Sequence, residues 1–311
     1  MVLVKPAFEV LSKADSEVKL IELAGRTCYK SEERITADSA ATFVASIIQR
    51  GHESVLEHSN IILHVSRELY YFLSDVQPTF LELTHANDRY IVSGNARAWR
   101  DFAKRDVIVC GIVATLRFTH EVIFDSLPNV VYVDGNNETY FRELQESNLS
   151  GAVEMLAHAR KTVKFICDRG VSHEIVRHRI ASYSQESTRY CDYHKGEVTF
   201  VIPPWVNISE QGEPKDHFSA AWKSAMENAE VSYKYLRACG WKPEQARTVL
   251  PNSLKTEIVM TANLREWCLF FRLRISPKAH PQMREIAEPL LNEFKRLFPV
   301  VFDDIKPELA V

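Results

Sequence analysis

The sequence lacks several features that define common classes of protein. Its six cysteines include no C-x-x-C pair, which argues against a zinc knuckle and against a disulfide framework. No apolar run is long enough to cross a bilayer. The N-terminus shows no basic stretch that is followed by an apolar core and a cleavage site. We therefore expect a cytoplasmic protein with reduced, mostly buried thiols and no membrane partner.

A global positive charge is also absent. The 38 Lys and Arg residues are outnumbered by 41 Asp and Glu, giving a formal net charge of -3, so the chain has no overall attraction to nucleic acid. An anionic ligand must therefore be held by local clustering of arginines. The length of 311 residues exceeds that of a usual single domain but also permits one domain with a large insertion.

Hydrophobic periodicity predicts a chain that mixes helices with short strands. Helices are predicted after a cap at Asp15 or Ser16, and over 37–49, 152–178 (two helices, broken at Gly170), 216–238, 264–273 and 283–297. Strands are predicted over 60–65, 91–95, 198–204 and 258–261. The expected fold class is therefore α+β.

Two short stretches of the sequence echo each other. Residues 93–99 (SGNARAW) and 261–267 (TANLREW) share the pattern N-x-R-x-W. Asn95 and Asn263 could each cap a helix, which explains both stretches without common ancestry. Coincidence and duplication both remain open.

The densest polar stretch is residues 177–190, RHRIASYSQESTRY. Its three arginines follow an apolar stretch whose burial would fix their position. Arginine offers a planar fork of donors that suits phosphates and imide or carboxylate edges. The stretch therefore suits an anionic ligand, and a solvated basic turn is the alternative.

The order of these residues resembles the R-H-R-x-x-S-x-x-x-x-S-x-R signature of flavin-dependent thymidylate synthases. Every fixed position is filled, by Arg177, His178, Arg179, Ser182, Ser187 and Arg189. Further stretches resemble family motifs in the same order: 24–31 (AGRTCYKS), 52–58 (HESVLEH), 246–251 (ARTVLP), 263–265 (NLR) and 273–282 (LRISPKAHPQ). The resemblance covers roughly residues 20–65 and 165–297, and it implies the family fold in one catalytic domain, residues 1–311.

The resemblance implies two overlapping sets of ligand contacts. The flavin would be contacted by Ser54, Glu57, Arg177, His178, Arg179, Gln185, Asn263, Leu264 and Arg265. The nucleotide dUMP would be contacted by Glu174, Ile175, Val176, Arg177, Gln185, Glu186, Ser187, Thr188, Arg189, Arg247 and Arg274. Arg274 would be the catalytic residue that polarises the uracil. For Arg247 and Arg274, an ordinary cation at a helix end is the alternative.

The resemblance also implies a reaction. dUMP would be methylated to dTMP with 5,10-methylenetetrahydrofolate as carbon donor, non-covalently held FAD as hydride carrier and NADPH as reductant. Neither a metal nor a covalent enzyme nucleophile is implied. The enzyme would be a homotetramer whose active sites draw residues from several subunits.

The sequence departs from the family pattern in three places. The stretch between His58 and Arg177 is much longer than in family members, which sets apart an inserted segment at about 67–164. Ser184-Gln185 stands where many members have Asn-Glu, and Leu269 stands where relatives often place a polar flavin contact. We expect the inserted segment to fold against the core without supplying the chemistry. The competing hypothesis is that Asn95 and Arg97 contact flavin or folate.

Two other functions remain open on the residues alone. A metal-dependent hydrolase could use His52, His58, His173 and His178 with Glu53 or Glu174, although these spacings match no zinc pattern. His52 and His58 alone would more often be a turn and a core histidine. An RNA-binding module could use Arg177, Arg179 and Arg189 with Tyr183 and Tyr190 as stacking groups, which the net charge of -3 disfavours.

Overall fold

The structure is a computed structural model that describes residues 1–11, 16–86, 88–127 and 141–306, the side chains of 107–110 excepted. Its strands are β1 (Val2–Val4), β2 (Ala7–Val10), β3 (Ile61–Val65), β4 (Glu82–Ala86), β5 (Arg89–Gly94), β6 (Phe141–Leu144), β7 (Arg160–Asp168), β8 (Ala181–Gln185), β9 (Thr199–Val201) and β10 (Lys255–Asn263). Its helices are α1 (Glu17–Tyr29), α2 (Ser39–Gln49), α3 (Arg67–Val76), α4 (Ala96–Ala103), α5 (Val107–Leu116), α6 (Glu121–Phe124), α7 (Gly151–His158), α8 (Arg169–Ile175), α9 (His217–Ala238), α10 (Pro243–Ala246), α11 (Leu264–Arg274), α12 (Pro281–Leu297) and α13 (Pro299–Phe302).

Two four-stranded sheets form the frame of the molecule. The first has the order β4-β5-β3-β6 and the second β2-β7-β10-β8, and every pair in both sheets is antiparallel. β1 and β9 form a separate parallel pair. The prediction of an α+β fold is confirmed. Within the described ranges, every helix is too short or too polar to cross a membrane.

Caps confirm several of the predicted helix starts. Ser16 caps α1, and its side chain accepts a hydrogen bond from the backbone of Lys19. The alternative cap, Asp15, lies outside the described residues. Asp216 caps α9 in the same way. These short side chains satisfy backbone N–H groups that the first helical turn leaves without partners.

The two sheets repeat one arrangement of elements. In each, a strand (β3 or β7) leads through a capped helix (α3 or α8) to a second strand (β4 or β8), which pairs with a third (β5 or β10). An asparagine at the end of that third strand or directly after it caps the next helix (α4 or α11). Asn95 accepts from the N–H of Ala98 at 2.8 Å, and Asn263 accepts from that of Glu266 at 2.9 Å. Both halves of the sequence echo therefore have the predicted capping geometry.

Reciprocal hydrogen bonds join the two repeats, residues 58–103 and 158–274. Nδ1 of His58, just before β3, lies 2.8 Å from Oγ1 of Thr261 in β10. Nδ1 of His158, just before β7, lies 2.8 Å from Oγ of Ser93 in β5. Thr261 and Ser93 each stand two positions before a capping asparagine. This exchange of equivalent contacts indicates an internal structural repeat and favours duplication as the origin of the echo.

Each repeat packs its helices over its own apolar core. The tryptophans of the echo, Trp99 in α4 and Trp267 in α11, are fully buried. The Trp267 ring lies 5.2 Å from Phe270 and 5.0 Å from Phe294, between ring centroids. Aromatic contacts of this kind add to the stability that burial itself provides, so α11 is held firmly on the second sheet.

Residues 152–178 correct a prediction, because they form a helix, a strand and a helix rather than two helices. β7 lies between β2 and β10, and its buried face carries Val163, Phe165 and Cys167, whereas Lys164 and Ile166 on the other face are partly buried. Ile166 interrupts the alternation of apolar and polar residues that identifies a strand, and it stands three positions after Val163, as on one face of a helix. The apolar residues of β7 could therefore be fitted to helical spacing.

His58 is a core histidine, which is the more common role that the sequence pattern predicted for it. Both ring nitrogens are engaged, by Thr261 and by Oγ of Ser184 at 2.9 Å, and burial lowers the pKa of His58 to about 3. In the unfolded chain a histidine titrates near pH 6.5. As the pH falls through that value, the unfolded state gains a proton that the folded state excludes, so stability is lost.

We therefore predict that His58→Gln flattens the acid side of the stability profile. Between about pH 6 and 4, the free energy of unfolding of the wild type should fall relative to that of the variant by about 1.4 kcal/mol per pH unit. Urea unfolding at several pH values measures both profiles. Parallel profiles would mean that His58 takes up its proton in the folded state.

Candidate active site

A cavity of about 580 Å³ opens between the two repeats. It is lined by three residues that the sequence assigns to the flavin: Glu57, Arg179 and Asn263. Asn263 ends β10, Arg179 lies between α8 and β8, and Glu57 lies in a 3₁₀ turn at Glu53–His58. The fold therefore brings together residues that are far apart in the sequence.

The acidic residues of this cavity are all paired with cations. Oε1 of Glu57 accepts from Nη1 of Arg97 at 2.6 Å. Oε2 of Glu82 accepts from Nη2 of Arg265 at 2.8 Å, which places Arg265 at the border of the cavity. Asp101 is paired with Arg97 at 3.5 Å and with a neighbouring lysine. Negative charge on the cavity wall is therefore neutralised by the protein.

Three arginines on the same wall have no such partner. Arg105, Arg160 and Arg179 line the cavity. Within the described ranges, no hydrogen bond or ion pair engages the guanidinium of any of them, and Nε of Arg160 is buried without a partner. A buried donor without a partner is costly. The cavity is therefore suited to a ligand that carries negative charge.

Arg274 belongs to a second group of residues, next to the R-H-R stretch. Its Nε donates to Nε2 of His178 at 3.0 Å, while Nη1 and Nη2 donate to the carboxylate and carbonyl oxygens of Glu174 at 3.0 and 2.8 Å. Because Nε2 of His178 accepts, the ring carries its proton on Nδ1, which lies 3.1 Å from Glu266. Burial lowers the pKa of Arg274, but a guanidinium stays charged in proteins.

His178 and Arg179 are consecutive in the signature, but their side chains lie in different surroundings. His178 is buried against Arg274 and against the ring of Phe270, whose centroid is 4.9 Å away. Arg179 is exposed and lines the cavity. The turn at 177–180 therefore connects the flavin residues with the proposed catalytic arginine.

A third group surrounds the turn after β8. Nη1 of Arg247 donates to Oγ1 of Thr188 at 3.0 Å. Arg189 is exposed, with its guanidinium 5.4 Å from the ring centroid of Tyr190. The backbone N–H of Ser187 is already used, because it donates to a carbonyl in α1. The cations of this turn, rather than that N–H group, are open to an anion.

Glu186 has a structural role that the sequence did not reveal. Its carboxylate is buried, 3.0 Å from Nζ of Lys255 and 2.9 Å from the hydroxyl of Tyr193. Its backbone N–H donates to the carbonyl of Glu257. The residue lies in the predicted nucleotide segment, but its side chain is turned into the protein.

Five other predicted contacts lie apart from the open cations. Leu264 is fully buried in the second core, and Ile175 is buried as well. Gln185 donates to Oγ of Ser172 at 2.9 Å. Ser54 and Val176 are exposed and have no contact that ties them to the cavity in the described part of the chain.

The residues that the sequence analysis missed are Arg105, Arg160 and Lys255. No motif marks them, because each acquires its place from tertiary contacts. Arg97, which also lines the cavity, was marked in the sequence by the N-x-R pattern that it shares with Arg265. In the described ranges, no cluster of three or more histidines, cysteines and carboxylates could hold a metal ion.

The sequence matches the family model of thymidylate synthase complementing proteins over residues 9–70 and 112–300. The match covers well over half of the chain, so the chain belongs to this family. The unmatched residues 71–111 lie inside the segment set apart at about 67–164 and include α4 and Arg105.

Curated relatives carry a more specific name. The flavin-dependent thymidylate synthase of Pyrococcus furiosus is 38% identical over 160 residues, which is 50% of this chain and 61% of the relative. That of Pyrococcus horikoshii is 34% identical over 187 residues, 55% of this chain and 74% of the relative. The chain spans roughly three fifths of the length of the first curated relatives. A solved UMP/dUMP methylase, PolB from Streptomyces cacaoi, aligns over 97% of this chain and 96% of its own, at 16% identity and a TM-score of 0.42, too low to support an argument.

Proposed function

We propose that this chain is a flavin-dependent thymidylate synthase that methylates dUMP to dTMP, with 5,10-methylenetetrahydrofolate as carbon donor, FAD as hydride carrier and NADPH as reductant. The observation that carries the proposal is the convergence of Glu57, Arg179 and Asn263 on one cavity. The names of the curated relatives support it. A cytoplasmic location is part of the proposal.

The cavity fits a flavin dinucleotide. Its volume lies in the range of small-molecule sites. Phe80, Phe102 and Ile180 supply apolar wall for a ring system, and arginines without partners suit a diphosphate. When bound there, FAD would supply the hydride that completes the methyl group. Arg179 and Asn263 would hold it, with Arg265 at the border.

Arg274 is assigned to the nucleotide. A guanidinium has five N–H donors, and three of them are engaged by His178 and Glu174. The two that remain can face the uracil and stabilise negative charge as it develops. The engaged donors fix the orientation of the group, so little reorganisation is needed when charge develops. No covalent enzyme nucleophile is required.

A homotetramer with shared active sites belongs to the same proposal. The cavity, the Arg274 group and the Arg247 turn are three separate groups in one chain. Arg189 is exposed, so it is available to a nucleotide that a neighbouring subunit also contacts. A molecular mass measured in solution, together with mixed tetramers of two inactive variants, would test this arrangement.

Flavin uptake tests the proposed function directly. We predict that the purified chain binds FAD, and that Arg179→Ala lowers the bound amount because a guanidinium is lost from the cavity wall. Absorbance after denaturation measures the released flavin. Arg34→Ala, which removes an exposed arginine that pairs with the adjacent Glu33, is the matched control. Wild-type protein that takes up no added FAD would refute the function.

Nucleotide binding tests the turn after β8. Arg189→Ala should weaken dUMP binding by roughly 1.5 to 3 kcal/mol, since a charge-assisted contact to the phosphate is lost. Isothermal titration gives the Kd values. Lys195→Ala, which removes a nearby exposed cation, should leave the Kd unchanged. Equal dUMP affinity in both variants would reject the assignment of Arg189.

A further inference from the structure

The turn that follows the first repeat contributes an arginine to the cavity that no motif assigns. Arg105 follows α4, and its backbone N–H donates to the carbonyl of Phe102 at 2.9 Å. Phe102 also lines the cavity. This turn lies in residues 71–111, which the family match leaves out. The position of Arg105 is therefore a property of this chain's own segment.

The second repeat contributes Arg160 in a fixed position. Arg160 is the first residue of β7, and it stands opposite Asn263 in the register of β7 and β10. Its backbone N–H donates to the carboxylate of Glu146 at 2.8 Å. Asn263 lines the same cavity. The strand pairing thus directs the guanidinium of Arg160 towards the cavity. Its Nε has no hydrogen-bond partner in the described part of the chain.

From these positions we infer that Arg105 and Arg160, together with Arg179, bind the diphosphate of the flavin dinucleotide. This inference rests on the proposed function. The segment that the family match leaves out then supplies part of the cofactor site, in contrast to the expectation that it takes no part. Arg97 is not assigned to the ligand, because Glu57 and Asp101 already pair with it.

The charges on the wall favour a diphosphate. Glu57, Glu82 and Asp101 are each paired with a cation from the protein. The guanidiniums of Arg105 and Arg160 are not so paired in the described part of the chain. A diphosphate carries two adjacent negative charges and several acceptor oxygens, and arginine forks match such groups. The carboxylates of a folate are the competing source of negative charge.

The test uses the full chain after removal of bound flavin. Kd values are measured for FAD, for riboflavin, which has no phosphate, and for inorganic pyrophosphate. The variants are Arg105→Ala, Arg160→Ala and Arg160→Lys. The control is Arg34→Ala, which removes an exposed arginine that does not line the cavity.

We expect each alanine variant to raise the Kd for FAD at least about tenfold, as loss of a charge-assisted contact does. Binding of pyrophosphate should weaken in parallel, whereas the Kd for riboflavin should not change. Arg160→Lys should recover part of the loss, and Arg34→Ala should bind FAD as the wild type does. Arg105 is exposed, so its variant tests the inference even where Arg160→Ala fails to fold.

Other outcomes separate the inference from the proposed function. Normal FAD binding by both alanine variants, with loss in Arg179→Ala, overturns the inference and leaves the function standing. If the wild type binds pyrophosphate but not FAD, and the alanine variants no longer bind pyrophosphate, the anion site is supported and the flavin function is refuted. If the alanine variants bind methylenetetrahydrofolate more weakly but bind FAD as the wild type does, the arginines bind a folate carboxylate and the diphosphate assignment is overturned.

Discussion

Replacement of Arg274 by alanine should reduce turnover of dUMP by about a hundredfold or more, with little loss of bound FAD. Removal of one preorganised donor that stabilises developing charge costs rates of this order. The three bonds from Arg274 to His178 and Glu174 fix the orientation of the guanidinium. Arg274 does not line the cavity formed by Glu57, Arg179 and Asn263. Steady-state kcat and the flavin content of the purified variant measure the two effects.

A neighbouring arginine supplies the control for this experiment. Arg272 lies on the same helix and is exposed, and no hydrogen bond or ion pair engages its side chain in the described part of the chain, so Arg272→Ala should keep the wild-type kcat. Arg274→Lys should recover little, because an ammonium cannot reproduce three bonds in the geometry of the fork. Turnover near the wild-type value in Arg274→Ala would remove the catalytic role.

Much of the secondary structure could be predicted because its signals are local. Ser16, Asp216 and Asn263 each lie at a helix start, and the short range of a capping hydrogen bond makes it visible in sequence. β7 could not be predicted in this way. Whether an apolar run forms a helix or a buried strand depends on its neighbours, here β2 and β10, which are distant in sequence.

The residues of the candidate site could also be predicted only in part. The resemblance predicts Arg179 as a flavin contact, and the side chain lines the cavity. Arg105 and Arg160 escaped notice because nothing in a single sequence shows that two distant arginines share a wall and lack partners.

Glu186 provides the last test, because its burial makes Lys255 important for folding. Lys255→Met should reduce the free energy of unfolding by about 3 kcal/mol, since it removes the nearest cation from a carboxylate that is 2% exposed. In the described part of the chain, its remaining side-chain partners are the hydroxyl of Tyr193 and a lysine at 3.8 Å. Urea unfolding at neutral pH measures the change. Lys242→Met, an exposed lysine replaced in the same way, should leave stability unchanged.

A double variant separates the buried charge from the loss of packing. Lys255→Met combined with Glu186→Gln removes the unpaired carboxylate, so it should be more stable than Lys255→Met alone. Equal stability of the single and double variants would show that the ion pair is not the cause. The Glu186 carboxylate faces the interior, so a folded Glu186→Gln variant should bind dUMP as tightly as the wild type. That result would assign nucleotide recognition to the cations of the turn, Arg189 and Arg247.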